Sequence, residues 1–580
     1  MTNIPRPEHP RPQMVRQSWE SLNGSWEFEI DHGKSGFERK LYESGNFSQR
    51  IIVPFCPESK LSGIEYKDFM AALWYRRSFP LSKAQMTGRI LLHFGAVDYK
   101  ATVYVNGQLA GTHSGGYASF TLDISPLVTE GTNTLVLCAE DDAQGDKQPG
   151  GKQSNRYYSY GCLYTRTTGI WQTVWLEYVP ERYIKNYRII PDPENGRALL
   201  TVRFAGTPAA DGDPESPPVE ATAYFEGREV CRGRARVSGD SACLVLPIPE
   251  PVLWNPGKPK LYDLTINWGQ DSVTGYFGMR SVSLTDNTIH INGRPVYQRL
   301  VLDQGFYPDG IYTAPSNEDL RKDIELSMAA GFNGARLHQK VFEEQFLYWA
   351  DKLGYIVWGE HASWRLNIDR REGYLPFATE WQEIVERDFN HPSIVGWCPF
   401  NETGKLQVDD ILRGVYLLTK QLDPTRPVID TSGHVHVITD VLDIHDYEQD
   451  PQTFTKSYAG MSGENVYYPG ENHGLFSKNI PYFVSEYGGT WWNAEEAAQS
   501  ASQGWGYGNR CKTIEEVYTR IEGLTRALLD NPRICAFCYT QLTDVEQEQN
   551  GIYTYDRRPK FDMNRIKAIF GAPAAIEQQG

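Results

Sequence analysis

The sequence predicts a multidomain chain: two β-sandwich domains, the second immunoglobulin-like, followed by a (β/α)8 TIM barrel, with boundaries at 1–180, 181–284 and 285–580. Three observations predict it. At 580 residues the chain exceeds what one hydrophobic core serves, and a prior of about 100 to 200 residues per domain gives roughly three or four units. Up to residue 284 the apolar residues alternate or run in short segments separated by turn residues, whereas from Ile289 strand-like runs alternate with helical stretches. Eight such runs follow Ile289, the number that closes a parallel barrel.

From Trp19 to Tyr178 the segments 24–30, 73–79, 89–94 and 101–105 suit strands, and Asn106-Gly107 is a hairpin turn. With 135–139 and 171–176 they make a two-sheet sandwich. Residues 141–156, rich in Gly, Gln, Asp and Lys, break the pattern and read as a long mobile loop, of the kind that often carries function. A second β module begins near Val179-Pro-Glu-Arg182, with strands at 219–225 and 242–247 and a Pro/Asp/Gly-rich tip over 206–218. A span of about 100 residues with frequent turns is the size of an immunoglobulin-like sandwich. One continuous sandwich broken by insertions is the alternative.

The barrel opens with a strand at 296–302. Ser316-Asn-Glu-Asp319 then starts a helix with capping-box spacing, which runs to Ala330 and stops at Gly331. Strands at 332–337, 355–359, 394–400, 427–430, 441–444, 482–485 and 534–539 continue the series, with helices near 342–353, 377–389, 408–422 and 513–529. A doubly wound open sheet is the competitor, but no G-x-G-x-x-G follows a strand.

The totals exclude several classes. Asp and Glu outnumber Lys and Arg to give a net charge of −16, which disfavours nucleic acid and anionic lipid as partners. The first residues lack the apolar stretch of a secretory signal, and no later run is long enough to span a membrane, so the expectation is a cytoplasmic protein without membrane attachment. Nine cysteines, an odd number at irregular spacing, fit reduced thiols and predict no disulfide framework and no structural zinc. A homo-oligomer is compatible with all of this.

The stretch 390–402, N-H-P-S-I-V-G-W-C-P-F-N-E, reads as a turn, a buried strand and a polar pair at the strand's carboxyl end. The stretch 481–489, P-Y-F-V-S-E-Y-G-G, repeats the design with Glu486. In a parallel barrel that rim is where reacting groups stand. The other strand ends carry Asp303, Arg336 with His338, Glu360 with His361, His445 with Tyr447, and Gln541 with Asp544. Two glutamates, Glu402 and Glu486, on different strands of one rim suggest glycoside hydrolysis, in which one carboxyl group protonates the leaving oxygen and the other attacks the sugar or activates water. Spacing in sequence leaves retention and inversion open. The bland reading is a pair of capping or salt-bridging carboxylates. A metal-dependent hydrolase would need the cluster His434, His436, Asp440 and His445, whose loop setting disfavours it. A sugar-binding protein without turnover is the rival from another class.

These residues carry a resemblance. W-Y-R-R-S-F at 74–79, V-N-G-Q-L-A-G-T-H-S-G-G-Y at 105–117 and G-I-W-Q-T-V-W-L at 169–176 look like the sugar-binding jelly-roll domain of the family 2 glycoside hydrolases. I-N-G-R-P-V at 291–296, N-H-P-S-I-V-G-W at 390–397, Asn401-Glu402 and V-S-E-Y-G-G look like the barrel of that family, in the same order. The resemblance implies an exo-acting, retaining double displacement needing no cofactor, with Glu402 as acid/base, Glu486 as nucleophile and Asn401 bonding the sugar 2-hydroxyl. It points to Arg336 and Tyr447 as neighbours of the nucleophile, and leaves Asp303, His338, Glu360, His445, Trp491 and Glu548 as candidate binders of a carbohydrate substrate. Trp492 and Trp505 are further candidates for stacking on sugar.

Departures from the family pattern bear on the sugar. Arg336-Leu-His-Gln-Lys340 stands where the family has R-x-x-H-Y-P. Glu548-Gln-Asn550 stands where glucuronidases have N-x-K for the sugar carboxylate, which disfavours a glucuronide. The expectation is a β-galactosidase, with galacturonide, mannoside and arabinopyranoside left open.

Overall fold

The computed structural model describes residues 4–578, apart from 46, 207–216, 286, 369, 405, 406, 434, 475 and 495–503. Most of the predicted 206–218 tip and His434 therefore lie outside the described residues.

The first sandwich opposes a six-stranded antiparallel sheet to a four-stranded one. The larger sheet runs Gln49–Val53, Gly24–Ile30, Ala72–Leu81, Gly131–Glu140, Lys100–Val105 and Gln108–Ser114; the smaller runs Trp19–Ser21, Val174–Val179, Arg89–Phe94 and Phe120–Asp123. Trp26, Phe28, Tyr75, Leu92, Val103, Leu137 and Leu176 fill the space between them. The second sandwich has sheets of three and four strands. Its strand Ser241–Pro247 buries every second residue, the signature of a sheet with one face on the core and one in water. Arg16 ties the two sandwiches, bonding Glu177 of the first at 2.5 Å and Asp271 of the second at 3.0 Å.

The barrel strands are buried along almost their whole length, because helices or loops cover their outer face and side chains fill the interior. In chain order they are Gln298–Asp303, Gly334–Leu337, Ile356–Glu360, Ile394–Cys398, a short fifth strand ending in Thr431–Ser432, Leu442–Asp446, Tyr482–Gly488 and Ile534–Thr540. The last pairs in parallel with the first, Cys538 opposite Leu300. The fifth joins the fourth through Trp397 opposite Val428 and Asn401 opposite Ser432.

Helix Asn317–Ala329 starts as its sequence dictates. Ser316 Oγ accepts from the Asp319 amide at 3.3 Å and donates to its carboxylate at 2.7 Å. Helix Ile514–Leu529 turns Val517, Ile521, Leu524 and Leu528 inward, the 3.6-residue stripe that the periodicity foretells. The strict strand-helix alternation fails once. The nine residues between the fifth and sixth strands form no helix, and Asp430, His436 and Asp443 bond one another there instead. No helix among the described residues is long and apolar enough to cross a membrane.

The 141–156 segment departs from expectation. It is irregular, but it is docked on the barrel: Gly150 N bonds Trp364 O at 2.9 Å, Gly151 N bonds Ala362 O at 3.2 Å, and Asn367 N bonds Asp146 O at 2.8 Å. Gly151 has a φ of 52°, and a Cβ on it would stand 2.2 Å from the Gln339 carbonyl. Only glycine permits this approach.

Candidate active site

The fourth strand and its extension Phe400–Asn401 deliver Asn401 and Glu402 to the rim. Glu402 has a φ of 46°, a left-handed conformation that costs a side-chain-bearing residue about 1–2 kcal/mol, and its amide is held by Ser432 O at 2.8 Å. The seventh strand delivers Glu486 to the same rim, and the sixth delivers His445 between the two glutamates. His445 Nδ1 lies 2.7 Å from Glu402 Oε1, and its Nε2 lies 3.4 Å from Glu486 Oε1 and 2.9 Å from Ser432 Oγ. One donor atom from each of Glu402, His445 and Glu486 falls within 4.8 Å of the others. That is also a donor set of the kind that holds a metal, though here the atoms bond one another.

Glu486 is enclosed by partners that hold it as the anion. Tyr447 OH donates to Oε2 at 2.5 Å, and Arg336 donates to Oε1 at 3.2 Å and to the Ser485 carbonyl at 2.7 Å. Burial raises the Glu486 pKa, but His445 and His338 outweigh it and the net shift is downward. Arg336 also pairs with Glu360 at 2.5 Å and bonds Asn401 Oδ1 at 3.1 Å. With its oxygen so held, Asn401 points Nδ2 into the site as a buried donor with no protein partner. Burial alone would raise the pKa of Glu402, but the His445 hydrogen bond and then Lys152 bring it well below the carboxylate range. His445 is lowered by burial and raised more by Glu486 and Glu402. Both shifts favour the same charged pairing, a protonated imidazole beside an ionised Glu402.

The remaining candidates divide. His338 bonds Glu360 at 3.1 Å and stands 3.9 Å from Glu486, inside the group. Glu548 receives Tyr164 OH at 2.6 Å and Asn550 Nδ2 at 2.9 Å, and burial raises its pKa. Asp303 does not join the two glutamates. Its carboxylate turns back to the Gly305 amide at 2.9 Å, and its charged neighbours are Asp323, Arg557 and Lys340; burial, then Asp323, push its pKa to about 7. His361 faces away, 3.3 Å from Glu380 and packed on Phe377. Gln541 bonds Asn550, and Asp544 pairs with Lys560. Trp491 packs against Gly506, with the Arg510 guanidinium 5.7 Å from its ring. Trp492 is buried with its amide on Gln549 O, and Trp505, half-buried, anchors a loop through its indole N–H to Gly161 O at 2.6 Å and packs edge-on against Tyr507. His436 is locked between Asp430 at 2.7 Å and Asp443 at 3.2 Å, while Asp440 takes Tyr416 and Lys420. The His436, Asp440 and His445 side chains thus point to different partners.

Four residues at the site escaped sequence reasoning. Tyr507 lies flat on Tyr447 at 3.5 Å between ring centres. Trp364, on the loop after the third strand, donates its indole N–H to Asn401 O at 3.0 Å. Lys152 and Tyr164 come from the first sandwich, and Lys152 Nζ sits 3.9 Å above the Trp364 ring. The available signal was a lysine set in a glycine-rich loop too long for a compact sandwich. Beside Glu402 a cavity of about 420 Å³ opens, lined by Trp364, Arg365, Asn401, Glu402 and Gln407 among others.

Comparison with known proteins agrees in kind. The pattern described as "Glycosyl hydrolases family 2, TIM barrel domain" matches residues 282–572, the family's sugar binding domain matches 19–147, and a third family 2 pattern matches 182–280. A putative β-glucuronidase of Formosa agariphila is 27% identical over 373 residues, and a β-galactosidase of Thermoanaerobacter pseudethanolicus is 25% identical over 449. These alignments cover 61% and 74% of this chain, and the chain spans 44% and 55% of those relatives' lengths. A β-glucuronidase structure from an uncultured Clostridium sp. superposes with a TM-score of 0.78 at 20% identity, covering 96% of this chain and 99% of that one. At that identity the likeness concerns the fold.

Proposed function

The chain belongs to family 2 of the glycosyl hydrolases, and on that premise we propose that it hydrolyses terminal β-linked glycosides with retention of configuration. The observation that carries the reading is the approach of Glu402 and Glu486 oxygens to within 4.8 Å. Carboxyl groups about 5–5.5 Å apart serve double displacement, whereas an inverting pair needs roughly 6.5–9.5 Å to admit a water.

Each group has a task its surroundings suit. Glu486, held ionised by Arg336 and Tyr447, attacks the anomeric carbon. The proton that His445 holds beside Glu402 passes through Glu402 to the leaving oxygen. Glu402 then takes a proton from the water that attacks the glycosyl-enzyme from the side the leaving group vacated. Asn401 Nδ2 is placed to bond the sugar 2-hydroxyl, an interaction that strengthens as charge develops on the ring.

For the sugar itself we propose a β-galactoside. Glu548, an acceptor already fixed by Tyr164 and Asn550, suits ring hydroxyls and repels a carboxylate. Purified protein assayed against aryl β-galactoside, glucoside, glucuronide, galacturonide, mannoside and arabinopyranoside tests this reading. The galactoside should dominate, and dominance of a uronide would overturn the choice of sugar. Silence on all six would overturn the glycosidase reading.

A further inference from the structure

Lys152 is an anomaly for a sandwich residue. It is only 6% exposed, yet its ammonium has no hydrogen-bond or ion-pair partner among the described residues. The Trp364 ring and the more distant carboxylates of Glu548, Glu486 and Glu402 outweigh its burial and keep it charged, while its N–H donors stay free for a ligand. The fold takes trouble to put it there: Gly150 and Gly151 press the loop onto the barrel, and Lys152 O is bonded by Tyr164 N at 2.7 Å. The charged groups acting on the ammonium are the Cys162 thiol and the carboxylates of Glu548, Glu486 and Glu402, near enough to be felt and too far to pair.

The charges of the pocket show what kind of ligand fits. Arg336 is committed to Glu360 and Glu486, and His445 to Glu402 and Glu486. Of the groups set back among the strand ends, Lys152 keeps free donors and Glu548, though already bonded by Tyr164 and Asn550, keeps lone pairs for a further donor. A hydroxyl supplies both roles, accepting from the ammonium and donating to the carboxylate. An anionic substituent would meet Glu548 as well as Lys152.

We infer that Lys152, carried by the first sandwich, is a specificity-determining residue of the barrel pocket, and that with Glu548 it recognises a ring hydroxyl of a neutral pyranoside. The inference rests on the glycosidase reading above.

The test compares wild type and Lys152→Met on an aryl β-galactoside and its 3-, 4- and 6-deoxy analogues, with kcat, KM and the thermal midpoint measured for each protein. The variant should lose about 10- to 100-fold in kcat/KM on the parent sugar, as expected for one charge-assisted hydrogen bond. It should lose almost nothing further on the one deoxy analogue that lacks the recognised hydroxyl. Its thermal midpoint should change little, because methionine keeps an apolar and sulfur contact with the Trp364 ring in place of the cation–π contact. Equal losses on all four sugars, or a lowered midpoint accompanying the lost activity, would mark Lys152 as structural and overturn the inference. A wild type that prefers an aryl β-glucuronide, with the loss confined to it, would overturn the neutral class. Wild-type silence on every glycoside would instead remove the parent reading, and this one with it.

Discussion

The strand Ile394–Cys398 has two ends of opposite character. At its start Asp351 receives His391 at 2.5 Å, Tyr276 OH at 2.8 Å and the Ser393 amide at 2.9 Å, while Asn390 bonds Tyr187 O and the Ile189 amide of the second sandwich. That face joins the barrel to its neighbour through bonds the protein supplies. Just past its other end the same strand leaves Asn401 Nδ2 without a partner and Glu402 in a left-handed turn. Both ends are polar and largely buried, so burial and charge do not tell them apart. What differs is access: the first network is closed off against the second sandwich, although His391 Nε2 and Ser393 Oγ stay unbonded among the described residues, and the second opens at the barrel mouth.

Three substitutions would break or sharpen that contrast. Glu486→Ala should give the largest effect, a fall in kcat of roughly 10⁵-fold or more, as loss of a nucleophile does. Azide should partly restore turnover with inverted product, and unchanged activity would remove Glu486 from its role. Glu402→Ala should follow, with a loss of about 10²- to 10⁴-fold on poor leaving groups and much less on activated aryl ones. Because His445 keeps its proton above its ordinary value, wild-type kcat/KM should fall on the alkaline side as that proton leaves, and Glu402→Gln should flatten the limb. A limb that persists unchanged would assign it to another group.

The smallest effect on chemistry belongs to the closed end. Asp351→Ala strands His391, Tyr276 and Ser393 at once, so it should cost about 3–5 kcal/mol of stability. Thermal or urea unfolding would read that cost, with kcat/KM per folded molecule changed less than about 3-fold. A catalytic loss without destabilisation would erase the distinction between the two ends.

Much of this was legible in the chain. Periodicity changes from two to 3.6 near Ile289, and the strands of the barrel are uninterrupted apolar runs, so the architecture and the rim residues follow from pattern alone. The direction a rim side chain takes does not. Asp303 and Glu486 both sit at strand ends, but Asp303 bends to the amide two residues on, a local option for aspartate that spacing cannot exclude. The short spacing from the strand at 427–430 to that at 441–444 leaves no room for a helix, but the side-chain network around His436 that fills the gap is not readable from it. Lys152 and Tyr164 were hidden for a different reason. Their partners lie hundreds of residues away, and docking one domain's loop onto another's strand ends depends on shape, which local sequence does not encode.

The bond from Tyr164 to Glu548 spans 384 residues. During synthesis the ribosome delivers the lysine wall of the pocket early and the last barrel strand, Ile534–Thr540, near the end. The pocket can assemble only when that strand reaches the first one, so the nascent chain carries a half-built pocket wall through most of its translation. The Tyr164–Glu548 bond is thereby a readout of finished barrel closure, and a chain halted before residue 548 cannot form it however well its sandwiches have folded.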